Sequence, residues 1–512
     1  MSLFSVERGP VPIYLQVKNG LEELIRSGSL PPGTKLPSSR SLARILGVSR
    51  NSVLEAYELL STEGIVEAYG TAGTYVSESS CRKAASNSAE ISSHAETSSL
   101  PLTDKGLHLL TGGLDYCWEK GLSDWASMLP DIAEGFGPCT HDQDTMALSG
   151  VTLAFDRLSA ERLRSCLNYV LTNYPHRLLG YGETEGYKPL RQWLATYMTD
   201  RGVATSAEEV LLTGGFQQGL TLLCSTFLDP GDTVLMENPG YPGILMCLLH
   251  GGANVRGIDM TSYGIDVGQI QGMICGLRPK FVCVMPFCQN PTGVTMDTQT
   301  RKSLLTLAKD NGITIIENGF TDELSYSGRL VPPLKAEDRW GCVVYMGSLS
   351  DILFPGLRIG WIVASRSIIQ ALTFSKRAID PFSSPVLQAA CYEFCRQGYF
   401  SSHLARIRKT YSRKRELISQ ALKKYLPSDS KFRVSEGRMS IWVTLPECVD
   451  SEELRREAHA LGASFVPGSA FFVSGGGKRN LLISYSGFSE QGIIQAIKTL
   501  GDLISRRLLG RA

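Results

Sequence analysis

The chain has 512 residues, a hydrophobic fraction of 43% and a mean hydropathy of -0.03, which is too long for one ordinary domain and fits a globular protein of two to four. Its 51 Lys and Arg against 50 Asp and Glu leave a formal charge of +1, so no global field argues for nucleic acid or membrane and any such surface has to be local. No apolar run reaches about eighteen residues, which excludes an ordinary membrane-spanning helix. The 13 cysteines are scattered without a CxxC pair, a usage that predicts reduced thiols and a cytoplasmic protein. Cys391 and Cys395 stand four apart without a matching His or Cys pair, so no metal site is expected.

At the N-terminus, Ile13, Val17, Leu21, Leu24 and Ile25 share one face of a helix that Gly28 and Pro31-Pro32-Gly33 stop. Ser38 caps a second helix with Leu42, Ile45 and Leu46 facing inward, and Gly47 breaks it. Ser49 caps a third, with Val53, Tyr57 and Leu60 inward, and Ile65 to Val76 reads as two short strands around Gly70 and Gly73. This order predicts a winged helix-turn-helix over residues 1–76. Residues 1–78 carry 7 cations against 8 acids, yet from Leu30 to Leu54 the four cations Lys35, Arg40, Arg44 and Arg50 stand with no acid among them. That segregation sets positive charge beside the start of the third helix, where Arg50, Asn51 and Ser52 can reach base edges or phosphates.

The runs Pro37-Ser38-Ser39-Arg40, Gly47-Val48-Ser49-Arg50-Asn51, Glu55-Ala56-Tyr57 and Gly73-Thr74-Tyr75-Val76 closely resemble the DNA-binding domain of GntR-type bacterial regulators. The resemblance implies double-stranded operator DNA as partner, with Lys35, Ser38, Arg40, Ser49, Arg50, Asn51 and the wing tip from Thr71 through Gly73 to Thr74 at the contact. After it, Ser77 to about Leu102 is rich in Ser, Ala and Glu and nearly without large apolar residues, so residues 77–105 are expected to form a flexible linker. Gly106 to Gly150 has scattered aromatics (Tyr116, Trp118, Trp125, Phe136) and no clean period.

Beyond it, Val210–Thr213, Thr233–Met236, Phe281–Met285, Ile313–Ile316, Cys342–Tyr345 and Ile359–Ala364 read as strands, with helical patterns such as Gln217–Phe227 and Arg301–Lys309 between them. That alternation predicts an α/β domain with a mainly parallel sheet, covered on both faces and binding ligands at the carboxyl ends of its strands. A long helical stretch from Pro385 to about Tyr425, then strands at Ser440–Leu445, Ser464–Val466 and Leu481–Ser484, predicts a smaller C-terminal lobe.

Tyr181-Gly182-Glu183, Thr213-Gly214-Gly215-Phe216, Asp229-Pro230-Gly231-Asp232, Glu237-Asn238-Pro239-Gly240-Tyr241, Asn290-Pro291-Thr292-Gly293 and Pro467-Gly468-Ser469 stand in order along residues 106–512. Singly each is a turn former; together they resemble the fold-type I aminotransferases, the aspartate aminotransferase fold. Behind the N-terminal module they resemble the MocR/GabR family of regulators. The resemblance implies a pyridoxal phosphate (PLP) pocket, a homodimer and a small-molecule effector. Gly215, Phe216, Ser348, Ser350 and Arg358 would hold a phosphate, Tyr241 would stack on the ring, Asn290 would meet its oxygen, and Tyr181 would reach in from a partner subunit.

Other positions depart from the pattern. In Tyr345-Met-Gly-Ser348-Leu-Ser350-Asp351, Asp351 stands where the family has its cofactor lysine, and an aspartate makes no Schiff base. Glu317-Asn318-Gly319-Phe320-Thr321 replaces a carboxylate and a phenol, so Asn318 would face the pyridine nitrogen without holding it protonated. Leu482 falls where the family has the arginine that grips the substrate carboxylate. Thr373-Phe374-Ser375-Lys376 imitates the anchor motif, but Lys376 comes after Arg358 in a helical pattern and reads as an ordinary helix lysine. The expectation is therefore a DNA-binding transcriptional regulator that senses a ligand without transaminating it. PLP would be held non-covalently, or another anionic ligand would take its place. The alternatives are a PLP-dependent aminotransferase with a DNA-binding appendage, and a dimerisation scaffold with an empty pocket.

Overall fold

The computed structural model describes residues 6, 12–68, 73–77, 146–147, 157–319, 322–328, 331–350 and 352–509. The chain divides into two compact units, Met1–Tyr116 and Cys117–Ala512. All but Ser77 of the expected linker (residues 77–105), most of the Gly106 to Gly150 segment, Thr71, Phe320, Thr321 and Asp351 lie outside the described residues.

The first unit runs α1 (Ile13–Arg26), α2 (Ser39–Leu46), α3 (Arg50–Thr62) and a hairpin of β1 (Val66–Ala68) with β2 (Thr74–Val76). Val17, Leu21, Leu42, Val53, Ala56, Tyr57 and Leu60 form its core. Ile45 is not inward as its pattern suggested: it is 51% exposed. With Leu42 and Ala43 buried, the inward stripe of α2 is centred between them, and Ile45 falls about 100° round the helix from that centre.

In the second unit, β4 (Val210–Thr213), β5 (Thr233–Asn238), β6 (Asn254–Thr261), β7 (Gly264–Ile265), β8 (Phe281–Val284), β9 (Thr314–Asn318), β10 (Val343–Ser348) and β11 (Gly360–Val363) form one sheet ordered β4-β11-β10-β9-β8-β5-β6-β7. Its centre is parallel, and β11 runs antiparallel to both neighbours. Strands buried on both faces read as continuous apolar runs. Along β5, Val234 and Met236 enter one core cluster and Leu235 the other; along β8, Cys283 and Val284 divide the same way.

α4 (Phe216–Phe227) follows β4 directly, and α5 (Arg366–Ile379) follows β11. The stretch predicted as one long helix after Pro385 is two, α6 (Pro385–Arg396) and α7 (Tyr399–Tyr425). Gly398 between them has φ 73°, a left-handed conformation that ends a helix. The C-terminal lobe is an antiparallel sheet ordered β12-β13-β16-β15, made of β12 (Lys431–Arg433), β13 (Ser440–Thr444), β15 (Val466–Pro467) and β16 (Asn480–Ser484). The pair Ala463–Ser464 (β14) lies parallel to Met146–Ala147 (β3), outside that sheet. Among the described residues no helix is long and apolar enough to cross a membrane.

Candidate functional site

On the N-terminal unit, Ser38 Oγ accepts from the Ser41 amide (3.3 Å) and Ser49 Oγ from the Ser52 amide (3.1 Å), so the two serines cap the starts of α2 and α3. Gly47 turns the chain between the helices at φ 66°. The Tyr57 hydroxyl donates to the Pro37 carbonyl (2.6 Å), and Arg50 Nε to Ser39 Oγ (3.4 Å), which ties α3 to α2 and the turn before it. Acids and cations are sorted here. Lys18 pairs with Glu22 and Glu63, and Arg26 with Glu22. Lys35, Arg40, Arg44 and Arg50 are exposed and pair with no acid among the described residues. Lys35 also braces the wing: its backbone bridges Tyr75, and its Cε lies 2.8 Å from where a Cβ on Gly73 would stand.

In the second unit, the sequence motifs converge at the carboxyl ends of the parallel strands. Thr213 closes β4, and its hydroxyl donates to the Gly215 carbonyl (3.0 Å). Gly215 takes φ 101°, where an L side chain is strained, and a Cβ there would stand 2.6 Å from Arg358 Nη2. The guanidinium thus lies against the bare backbone that opens α4, an arrangement of positive charge and helix N-terminus suited to a phosphate. The Gln218 amide braces this turn, accepting from the Gly214 amide (2.5 Å) and donating to Asp380 (3.0 Å).

Two more predicted residues arrive with unused polar atoms. Ser348 Oγ, at the end of β10, and Asn290 Oδ1 are buried without a hydrogen-bond partner. Buried polar atoms are rarely left so, and such an atom on Ser348, which pairs with Gly360 next to the Thr213 strand end, points to a ligand that completes it. Tyr241 folds its ring over Gly243, and Asn318 is buried at the end of β9. Phe216 packs into the core under α4. Ser350 is differently employed: its hydroxyl accepts from the Ile359 amide (2.8 Å) and so holds the loop that delivers Arg358. Tyr181 is 94% exposed and rests its edge on Phe382 at 5.4 Å. Its loop is anchored by the buried Arg191, which binds Glu183 and the carbonyls of Gly186 and Ala207.

These groups fit the phosphate end of PLP. At the ring end the fit is poorer: Asn318, which closes β9, is a neutral amide and brings no charge to a pyridine nitrogen.

Lys376 is not the ordinary helix lysine of the sequence reading. It is fully buried, and its Nζ donates to the carbonyls of Thr184 and Leu212, both at 2.9 Å. Burial pushes its pKa down to about 8. Glu237 is a second buried titrating group, accepting from the Met285 amide and the Gln289 amide group, and burial raises its carboxyl to about 8. Arg438 was missed by motif reading altogether. It precedes β13, is 1% exposed and forms no ion pair with a described carboxylate. No motif marks it: in sequence it is one arginine set directly before the strand that starts at Ser440.

Residues 161–500 match the model of the aminotransferase class I and II family, and residues 13–76 that of bacterial regulatory proteins of the gntR family. The chain belongs to the aminotransferase class I and II family, with a gntR-type head. It is 32% identical to aromatic-amino-acid aminotransferase 1 of Thermococcus litoralis over 77% of this chain and 95% of that one. Over 97% of both chains it is 29% identical to the HTH-type transcriptional regulator TauR of Rhodobacter capsulatus. In structure it is similar to the kynurenine aminotransferase of Pyrococcus horikoshii, with a TM-score of 0.71 and 31% identity over 78% of this chain and 99% of that one.

Proposed function

We propose that the aminotransferase-like domain of this chain senses a small anionic ligand and pairs two copies, without transamination, and that ligand occupancy alters operator binding by the head. The chain is a transcriptional regulator in architecture: relatives named as HTH-type regulators match it from end to end. The head's proposed DNA contacts are Lys35, Ser38, Arg40, Ser49, Arg50, Asn51 and Gly73, supported by the unpaired cations around the start of α3.

One observation carries the sensor reading. The phosphate-side groups (the Gly215 turn, Arg358 and Ser348) stand together, Ser348 and the ring-side Asn290 each keep an orphaned buried atom, and the groups that PLP chemistry needs are replaced in the sequence. PLP in this pocket would be held by its phosphate and ring and not by a covalent bond. The rival reading, an aminotransferase with a DNA-binding appendage, draws on the likeness to a named enzyme. It needs a substitute lysine, and Lys376 has its ammonium committed to two carbonyls.

The deciding experiment adds PLP to the purified full chain and treats it with borohydride. The expected result is that no PLP becomes fixed to the protein, whereas Asp351→Lys acquires it. Fixation on the unmodified chain would establish the rival. Thermal shifts with PLP, its amine form and amino acids separate a sensor from an empty scaffold, since a ligand that binds only the folded state raises its stability.

A further inference from the structure

Arg438 is a fully buried guanidinium with a poor set of partners. Its Nε donates to Ser440 Oγ at 3.3 Å, and Nη1 reaches the Cys288 carbonyl at 3.4 Å and Met285 Sδ at 3.8 Å. That is one hydroxyl, one long carbonyl contact and a thioether for five donors, with no described carboxylate in ion-pair range. A buried arginine without a counter-ion is costly, and folded proteins hold such charges where an anion completes them.

The surroundings hold this guanidinium in place, against the loop that leads from β8 to Asn290. Its own backbone is bolted down: the Arg438 carbonyl accepts from the hydroxyls of both Tyr326 and Tyr485, and its amide donates to Ser435 Oγ. Met285 and Cys288 belong to the loop that leaves β8 and reaches Asn290 two residues later. Cys288 is held at left-handed φ (46°), a strained conformation for a residue with a side chain, and its carbonyl meets the guanidinium. The Tyr241 phenol is close enough to act on the Arg438 charge. Arg438 therefore joins the small lobe to the strand ends that carry Asn290 and Tyr241. The conventional arginine position, Leu482, lies on the neighbouring strand opposite Trp442 and is apolar.

From this geometry we infer that Arg438 is the carboxylate-binding residue of the pocket, so that the ligand carries a carboxylate at the small-lobe end, apart from the phosphate cradle at Arg358. The inference rests on the sensor reading for the use made of the ligand, but not for its binding. Its chemistry is a forked, desolvated guanidinium–carboxylate pair, which discriminates against a neutral isostere because an uncharged group leaves the guanidinium uncompensated.

The test uses the full chain, with acetate as the carboxylate probe, acetamide as its neutral counterpart and chloride at matched ionic strength. Thermal unfolding of the unmodified protein should shift upward with acetate up to about 0.1 M and stay unmoved by acetamide. Arg438→Met should lose the response, with affinity falling about thirtyfold or more. Arg438→Lys, which keeps the charge without the fork, should weaken it; this variant carries the test where Arg438→Met does not fold. Arg358→Met should keep the acetate response and lose that to inorganic phosphate. No acetate response in the unmodified protein, or equal responses with and without Arg438, would overturn the assignment. Arg438-dependent binding that leaves operator affinity unchanged would instead sink the sensor reading and spare this one.

Discussion

Gly215 shows how one residue without a side chain defines a site. Its φ of 101° and the 2.6 Å approach of Arg358 to its missing Cβ make two separate demands for glycine. Gly215→Ala should therefore lose about 1–2 kcal/mol of stability through backbone strain and also lose phosphate binding, because the new methyl group displaces the guanidinium. Gly231→Ala separates the two effects, since Gly231 has φ 92° with open space around its Cβ position. It should be destabilised comparably and keep a phosphate-induced thermal shift; if both variants keep that shift, Arg358 is not the phosphate ligand. Residues of this kind were legible because the motif Thr213-Gly214-Gly215-Phe216 fixes both the turn and its purpose. Arg438 was not legible. A lone arginine before a strand is an ordinary surface residue in sequence, and only the folded partners Met285, Cys288, Tyr326 and Tyr485, far away in the chain, reveal its burial.

At the level of elements, the sequence pattern located the three helices of the head and the inner strands of the large sheet, but left helices such as Arg157–Asn173, Lys188–Thr199 and Glu490–Leu509 unnamed. The outer strands Asn254–Thr261 and Gly264–Ile265 were not picked out, since β6 carries exposed polar residues (Arg256, Asp259) and has no long apolar run. The break at Gly398 was hidden inside a continuous helical pattern. Helix α5 is the instructive case, because its Lys376 looked like surface and turned out to stitch the helix to the carbonyls of Thr184 and Leu212. Burial lowers this lysine's pKa from 10.5 to about 8, with Asp380 and Glu185 opposing. Between about pH 8 and pH 10.5 the unfolded chain holds a proton that the folded chain has released, so stability rises with pH across that window and gains nothing from this group below it. The rise approaches about 1.4 kcal/mol per pH unit for one proton. Urea unfolding at about pH 7.5 and about pH 9.5 should show it, and Lys376→Met should remove it from the difference. An unchanged slope in the variant would mean that the ammonium is better solvated than its burial implies.

At the scale of the whole molecule, the consequential feature is that the two units carry separate cores and separate tasks. The head's core of Val17, Leu21, Leu42, Val53 and Leu60 is its own, and the cations proposed to meet DNA are few, Lys35, Arg40, Arg44 and Arg50 among the described residues. So few phosphate contacts give modest affinity to one head, and a chain of +1 net charge adds no general attraction. If the aminotransferase-like domain pairs two copies, as its fold suggests, the second head binds as a tethered partner. The gain is then about 10²–10⁴ in apparent affinity over one head, without any new contact. Residues 1–77 alone should therefore bind a two-site operator about a hundredfold or more weakly than the full chain, and the difference should vanish on a single half-site. Fluorescence anisotropy on both DNAs measures this directly. Arg50→Ala should weaken each head by roughly 1–3 kcal/mol if it reads a base. In a paired full-length protein that loss is incurred twice on the two-site DNA and once on the half-site. Equal losses on both DNAs would mean that one head does all the binding, and the large domain would then have to act on DNA affinity by some means other than pairing.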